Sequence, residues 1–156
     1  KSKAAKAKFE MEKRSEAERF LVNSRFTIFE KLSEEIKEVE KRLQTIAETE
    51  ESTKLLLTHP GIGTLTALAV VHTLGDVSRF RGKEQVTAFV GLAPLDKSSG
   101  EKKRIGQISK HGSRLVRFLL GQSAQKSSDQ RLREFYLQVS RRRGKPKAKV
   151  AAARKL

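Results

Sequence analysis

The chain has 156 residues, 34 of them Lys or Arg against 18 Asp or Glu, for a formal net charge of +16. That length suits one main core plus an appendage rather than several independent domains, and a cationic surplus of this size favours a polyanionic partner, nucleic acid first, over the small substrates of an ordinary enzyme. No cysteine is present, which excludes disulfides, thiolate metal sites and thiol redox chemistry and agrees with a cytoplasmic setting.

Taken in chain order, residues 1–26 are a Lys/Ala-rich, basic N-terminal helix or linker carrying +4. No signal-peptide apolar region stands at this end, and no apolar run approaches the roughly 20 residues of a bilayer span, so no membrane contact is expected. Residues 27–57 carry −3 and place Phe29, Leu32, Ile36, Val39, Leu43 and Ile46 at alternating intervals of 3 and 4. That spacing is the a/d seam of a coiled coil and predicts a long helix that joins copies of the chain, a dimer or higher homo-oligomer. The competing reading is an amphipathic helix folded on its own domain, because the seam lasts only two to three heptads.

Residues 58–156 read as one compact helical domain with a basic tail. Helices are predicted to about Leu74, from about Lys83 to Val90 with Gly91 as the stop, and from about Ser113 to Ser127 with Gly112 or Ser113 as the cap. Asp129 is placed to cap a helix running to Arg143, and Gly144-Lys145-Pro146 breaks it before a last basic helix from Lys147. Between Pro94 and His111 lies an irregular Ser/Gly/Lys loop or small hairpin. The fold class expected is therefore mainly all-α.

Three constellations carry chemistry. In Pro60-Gly61-Ile62-Gly63, followed by Thr64, the glycines allow a tight turn and the amides opening the next helix present their positive end to a phosphate, as in a helix-hairpin-helix motif. The opposing reading is an interhelical turn that touches nothing, since residues 58–96 have no net charge. Residues 91–117 gather hydroxyls, glycines and cations: Ser98, Ser99 and Ser109 beside Lys102, Lys103, Arg104, Lys110, Arg114 and Arg117. A serine attacks phosphorus when cations stabilise the charge growing on the phosphate oxygens and a base accepts its proton. The cations are present, whereas His111 is the only nearby imidazole; on composition alone such a stretch is a surface loop. Finally, Arg131, Arg133, Arg141, Arg142, Arg143, Lys145, Lys147, Lys149, Arg154 and Lys155 form a tail suited to backbone phosphates. Residues 97–156 hold 18 basic and 3 acidic side chains, a net +15.

In order and spacing, Pro60-Gly61-Ile62-Gly63 with Ala67, Phe80, Gly91-Leu92-Ala93-Pro94, Ser99-Gly100, the stretch Gly106 through Gly112 and Arg117 resemble the C-terminal domain of the IS110 family of insertion-sequence transposases, the bridge-RNA-guided recombinases. The likeness covers about residues 30–156. It implies transposition by DNA recombination, in which a serine attacks the DNA backbone and forms a covalent phosphoserine link before strand exchange. Carried over by motif, Ser99 is the nucleophile, with Ser98 and Ser109 as fallbacks. Gly61, Ile62, Gly63, Thr64, Lys102, Lys103, Arg104, Lys110, Arg114, Arg117, Arg141, Arg142 and Arg143 are then the phosphate contacts. The resemblance also implies DNA and a guide RNA as partners, a bacterial or archaeal cell with the protein at the nucleoid, and Mg2+ held by an N-terminal acidic domain. This sequence has no counterpart of that domain: its acids before residue 60 fall on the predicted long helix, a solvated face and not a cation cage. No metal or other cofactor is expected in this chain, which by itself should be inactive. The alternative is a non-catalytic, dimeric helix-hairpin-helix module that grips duplex DNA or structured RNA. A purely structural oligomerisation protein would leave the +15 of the last third without a purpose.

Overall fold

The computed structural model describes residues 15–96 and 105–156. Seven helices and one two-stranded sheet are present among them, a mainly all-α architecture. By its contacts the chain divides into two units, Lys1–Gln44 and Thr45–Leu156.

Helix α1 spans Glu16–Thr49. Its start is written locally: the Ser15 amide donates to the Glu18 carboxylate at 2.9 Å while the Glu18 amide donates back to the Ser15 hydroxyl at 3.3 Å, a reciprocal capping box. Phe29, Leu32, Ile36, Val39 and Ile46 are all 45–58% exposed on it. The helix expected to run through 27–57 instead starts no later than Glu16 and breaks at Glu50, whose backbone is extended (φ −99°, ψ 115°). A separate helix α2, Glu51–Leu57, follows. The break has a local cause: Thr49 Oγ1 turns back to Ile46 O, and the fully buried Thr53 donates to the Glu50 carboxylate at 2.8 Å. Seam periodicity is blind to such side-chain contacts.

In the second unit, α2 packs on α3 (Thr64–Leu74), which ends at Gly75 with φ +61°. A single 3-10 turn, Val77–Arg79, is capped by Asp76, whose carboxylate accepts the Ser78 amide; hydrogen bonding to the Ser78 side chain first, and to its amide second, holds that carboxyl below the usual carboxylate range. Helix α4 covers Lys83–Phe89. Strands β1 (Pro94–Asp96) and β2 (Ile105–Ile108) pair antiparallel, Pro94 opposite Ile108, so the predicted ragged stretch is a short hairpin.

Three helices close the unit. The Ser113 hydroxyl caps α5 (Arg114–Lys126) by accepting from Val116 N, and the Asp129 carboxylate caps α6 (Gln130–Arg143) by accepting from Leu132 N at 2.7 Å. Gly144, at φ +83°, turns the chain into α7 (Lys145–Lys155), with Pro146 in the first turn, where its missing N–H costs nothing. Buried Ala148, Ala152 and Ala153 let α7 lie close on α5 and α6. The core joins Leu74, Val90, Leu92, Val116, Ala124 and Leu132 to Ala152 and Ala153, with Tyr136 half-buried against it. None of the described helices is long and apolar enough to cross a membrane.

Candidate nucleic-acid interface

The basic tail becomes a site because two helices turn the same kind of face toward the hairpin. On α6, Val139, Arg142 and Arg143 stand at i, i+3 and i+4; on α7, Lys147, Val150, Ala151 and Arg154 stand at i, i+3, i+4 and i+7. With Gly106, Gln107 and Ile108 of β2 and the following Lys110, these residues line an open groove of about 1130 Å³. Its floor is aliphatic, its rim carries five cations, and no carboxylate lies among the described lining residues. An aliphatic floor does not compete with the cations for a phosphate.

The hairpin wall is built at a crossing of two chain segments. The Ser109 amide donates to Ala93 O at 2.9 Å and the Lys110 amide to Gly91 O at 3.2 Å. The backbones pass so closely that a Cβ at Gly91 would lie 1.9 Å from His111 O, and one at Gly112 would lie 2.1 Å from Phe89 O. Both glycines have positive φ, +75° and +94°, and Lys110 also enters the left-handed region at +57°. Glycine at 91 and at 112 is therefore required by backbone meeting backbone. Arg117 spans this crossing from the first turn of α5: its Nη1 donates to Val90 O, His111 O and Gly112 O at 3.1, 3.3 and 2.9 Å.

The turn at 60–63 lies between the packed helices α2 and α3. Its Gly61 (φ +98°) abuts the end of α5: a Cβ there would stand 2.6 Å from Ser127 Cα and 2.8 Å from Ser123 O. The Ser127 hydroxyl donates to Pro60 O at 2.6 Å, and Ser123 Oγ is 3.2 Å from Thr66 Oγ1. The close approach that demands glycine at 61 is thus to α5, whereas Gly63 faces open space. Gly61→Ala is expected to lower stability by roughly 2 kcal/mol or more, from left-handed strain plus overpacking. An unchanged thermal midpoint would show that the turn is not wedged against α5.

Of the other residues singled out in the sequence, Lys110, Arg142 and Arg143 meet in the groove, while Arg141 and Arg114 are exposed outside its lining. Ser98, Ser99, Lys102, Lys103 and Arg104 lie outside the described residues, in the stretch joining β1 to β2. Ser109 Oγ is enclosed and has no hydrogen-bond partner among the described residues. His59 stays in the turn, its Nδ1 3.1 Å from Pro60 O. No group of three or more acidic or imidazole side chains able to hold a metal occurs among the described residues. Lys147 and Arg154 were legible as members of a basic tail but not as one face, a grouping that their spacing of seven residues already suggests.

The transposase for insertion sequence element IS1111A of Coxiella burnetii is 33% identical over 141 residues, 86% of this chain and 39% of that protein. The transposase for insertion sequence element IS1328 of Yersinia enterocolitica is 39% identical over 93 residues, 60% of this chain and 28% of its own length. A 43.6 kDa protein of insertion element IS110 from Streptomyces coelicolor is 28% identical over 114 residues, 72% of this chain and 28% of its own. The chain thus spans well under half the length of these relatives. The model of the transposase IS116/IS110/IS902 family matches residues 53–137, more than half of the chain and the whole stretch from the buried Thr53 to the middle of α6, so the protein belongs to that family.

Proposed function

We propose that this chain is the DNA-handling, nucleophile-bearing part of a transposase, acting in DNA transposition by recombination. The observation that carries the proposal is the basic groove, with no carboxylate among its described lining residues, whose wall, β2, directly follows in sequence the segment holding Ser99. In this reading the sugar-phosphate backbone of the element DNA lies against Lys110, Arg142, Arg143, Lys147 and Arg154. Ser99 Oγ bonds to phosphorus as the bond to one deoxyribose oxygen breaks, leaving a phosphoserine link and a free hydroxyl for later rejoining. Ser98 is the neighbouring alternative; enclosure of the Ser109 hydroxyl disfavours that residue. Lys102, Lys103 and Arg104, in the same segment, are assigned to the charge growing on the phosphate oxygens. Arg114 and Arg141 and the open side of the 61–64 turn would add backbone contacts beyond the groove.

These contacts read phosphate and not base sequence, which leaves target choice to another element, a guide RNA in this proposal. The donor set for Mg2+ is not found among the described residues of this chain, so no step proposed here runs through a metal. Incubation of the intact transposase with magnesium, its guide RNA and its element DNA, followed by mass spectrometry, tests the reading. A nucleotide adduct on the 97–102 peptide is expected; DNA processing that never leaves an adduct there, even under trapping, would reduce the domain to a binding module.

The exposed seam on α1 is assigned to a second copy of the same chain, because a/d residues left 45–58% exposed along one helix are completed by an identical partner seam. Leu32→Asp combined with Ile36→Asp is expected to convert the oligomer to monomer in sedimentation velocity, with the helical signal of the second unit retained. An unchanged mass would remove the coiled-coil assignment.

A further inference from the structure

We propose that Arg117 is a positioning residue that aims the β1–β2 hairpin, one wall of the groove, rather than a phosphate ligand; this rests on the function proposed above. Three observations carry it. The first is the small size of the hairpin: β1 and β2 have three and four residues and, among the described residues, pair only with each other, and a two-stranded ribbon of that size does not hold its own direction. Besides Ile108, which packs against the core, its direction is set at its foot, where residues 90–93 cross residues 109–112.

The second is the electrostatics of that foot. The carbonyls of Val90, His111 and Gly112 converge on one point, 3.1, 3.3 and 2.9 Å from a single guanidinium nitrogen. Three carbonyl dipoles aimed at one point repel unless a cationic donor stands between them, and glycine at 91 and 112 removes the side chains that would keep the strands apart. The guanidinium therefore reinforces a crossing that the backbone hydrogen bonds from Ser109 to Ala93 and from Lys110 to Gly91 begin to close. Its Nη1 is so close to the Gly91 backbone that a Cβ there would lie 2.9 Å away.

The third is where the clamp is anchored. Arg117 is one turn into α5, whose Val116 is fully buried in the core, and α5 packs on α7, which supplies Lys147 and Arg154 to the groove. One side chain thus ties the wall of the groove to the helices that form its other side. Loosening it would let the hairpin wall shift relative to a phosphate held by α6 and α7, and a misplacement of about 1 Å costs on the order of 100-fold in rate.

The discriminating variant is Arg117→Lys in the intact transposase with its RNA and element DNA. Lysine keeps the charge that a phosphate ligand needs but loses the planar fork that sits among three carbonyls. Expected are strand cleavage down by about 10- to 100-fold, wild-type DNA affinity with an unchanged salt slope, and faster hydrogen exchange in peptides covering 105–112 while those of α6 and α7 keep their protection. Near-normal cleavage by Arg117→Lys, with Arg117→Gln losing affinity and about 0.9 of salt slope, would identify a phosphate ligand and overturn the proposal. Loss of protection across α5, α6 and α7 would overturn it too, making Arg117 a general stability residue. The exchange result does not depend on which serine reacts, so a failure of the Ser99 assignment and a failure of the clamp are told apart.

Discussion

Replacing Ser99 by alanine in the intact transposase is expected to abolish strand exchange, a loss on the order of 1000-fold or more, while DNA affinity stays within about twofold of wild type. The asymmetry follows from what the hydroxyl would do. It carries no charge, so it adds nothing to the counterion release that dominates affinity for a duplex; as the atom that bonds to phosphorus it has no substitute in alanine. Ser98→Ala serves as the neighbouring control and is expected to retain most activity, because the motif carry-over places the reacting serine immediately before Gly100. Strand exchange by the Ser99→Ala protein at a rate near wild type would end the covalent reading at that position. Exchange lost only in Ser98→Ala would move the nucleophile by one residue and keep the mechanism.

The second large effect is expected in the groove. Arg142→Gln together with Arg143→Gln should weaken DNA binding by the intact protein on the order of 10- to 100-fold at low salt. The plot of log affinity against log salt should also flatten by about 0.9 for each phosphate that is no longer neutralised. Arg131→Gln with Arg133→Gln is the matched control: the same helix and the same charge change, but on exposed residues that do not line the groove. A similar loss in both pairs would mean that the tail acts only as diffuse positive charge and that the groove is not the place where the backbone lies. A loss confined to the groove pair, with the slope change, ties the phosphates to the side of the molecule that bears the hairpin.

Local signals located most of the helices. Ser113 and Asp129 announced the starts of α5 and α6, and in the structure each hydroxyl or carboxylate takes the amide three residues on. Gly91 and Gly144 sit where α4 and α6 stop, because left-handed backbone ends a helix cheaply only at glycine. The heptad spacing from Phe29 to Ile46 marked one face of α1. It did not reveal the break at Glu50, which depends on a carboxylate accepting from Thr53 and standing 3.3 Å from His72 on another helix.

By itself, then, the sequence determined the family, the helical class, the positions of caps and stops, and a +15 charge confined to the last 60 residues. All of these are encoded within a few neighbouring positions or in composition. Only the tertiary structure decided what the motif residues touch. Arg117 looked like one more cation for phosphate, yet its guanidinium reaches a carbonyl 27 residues away. The turn glycine at 61 looked poised for a ligand, and the structure adds that it meets a helix end held by a hydrogen bond spanning 67 residues. The groove joins β2 to α6 and α7 across a similar stretch of chain. Periodicity and capping report the neighbourhood of a residue along the chain, whereas the partner of a polar group is set by which distant segment the packed core brings within 3 Å of it.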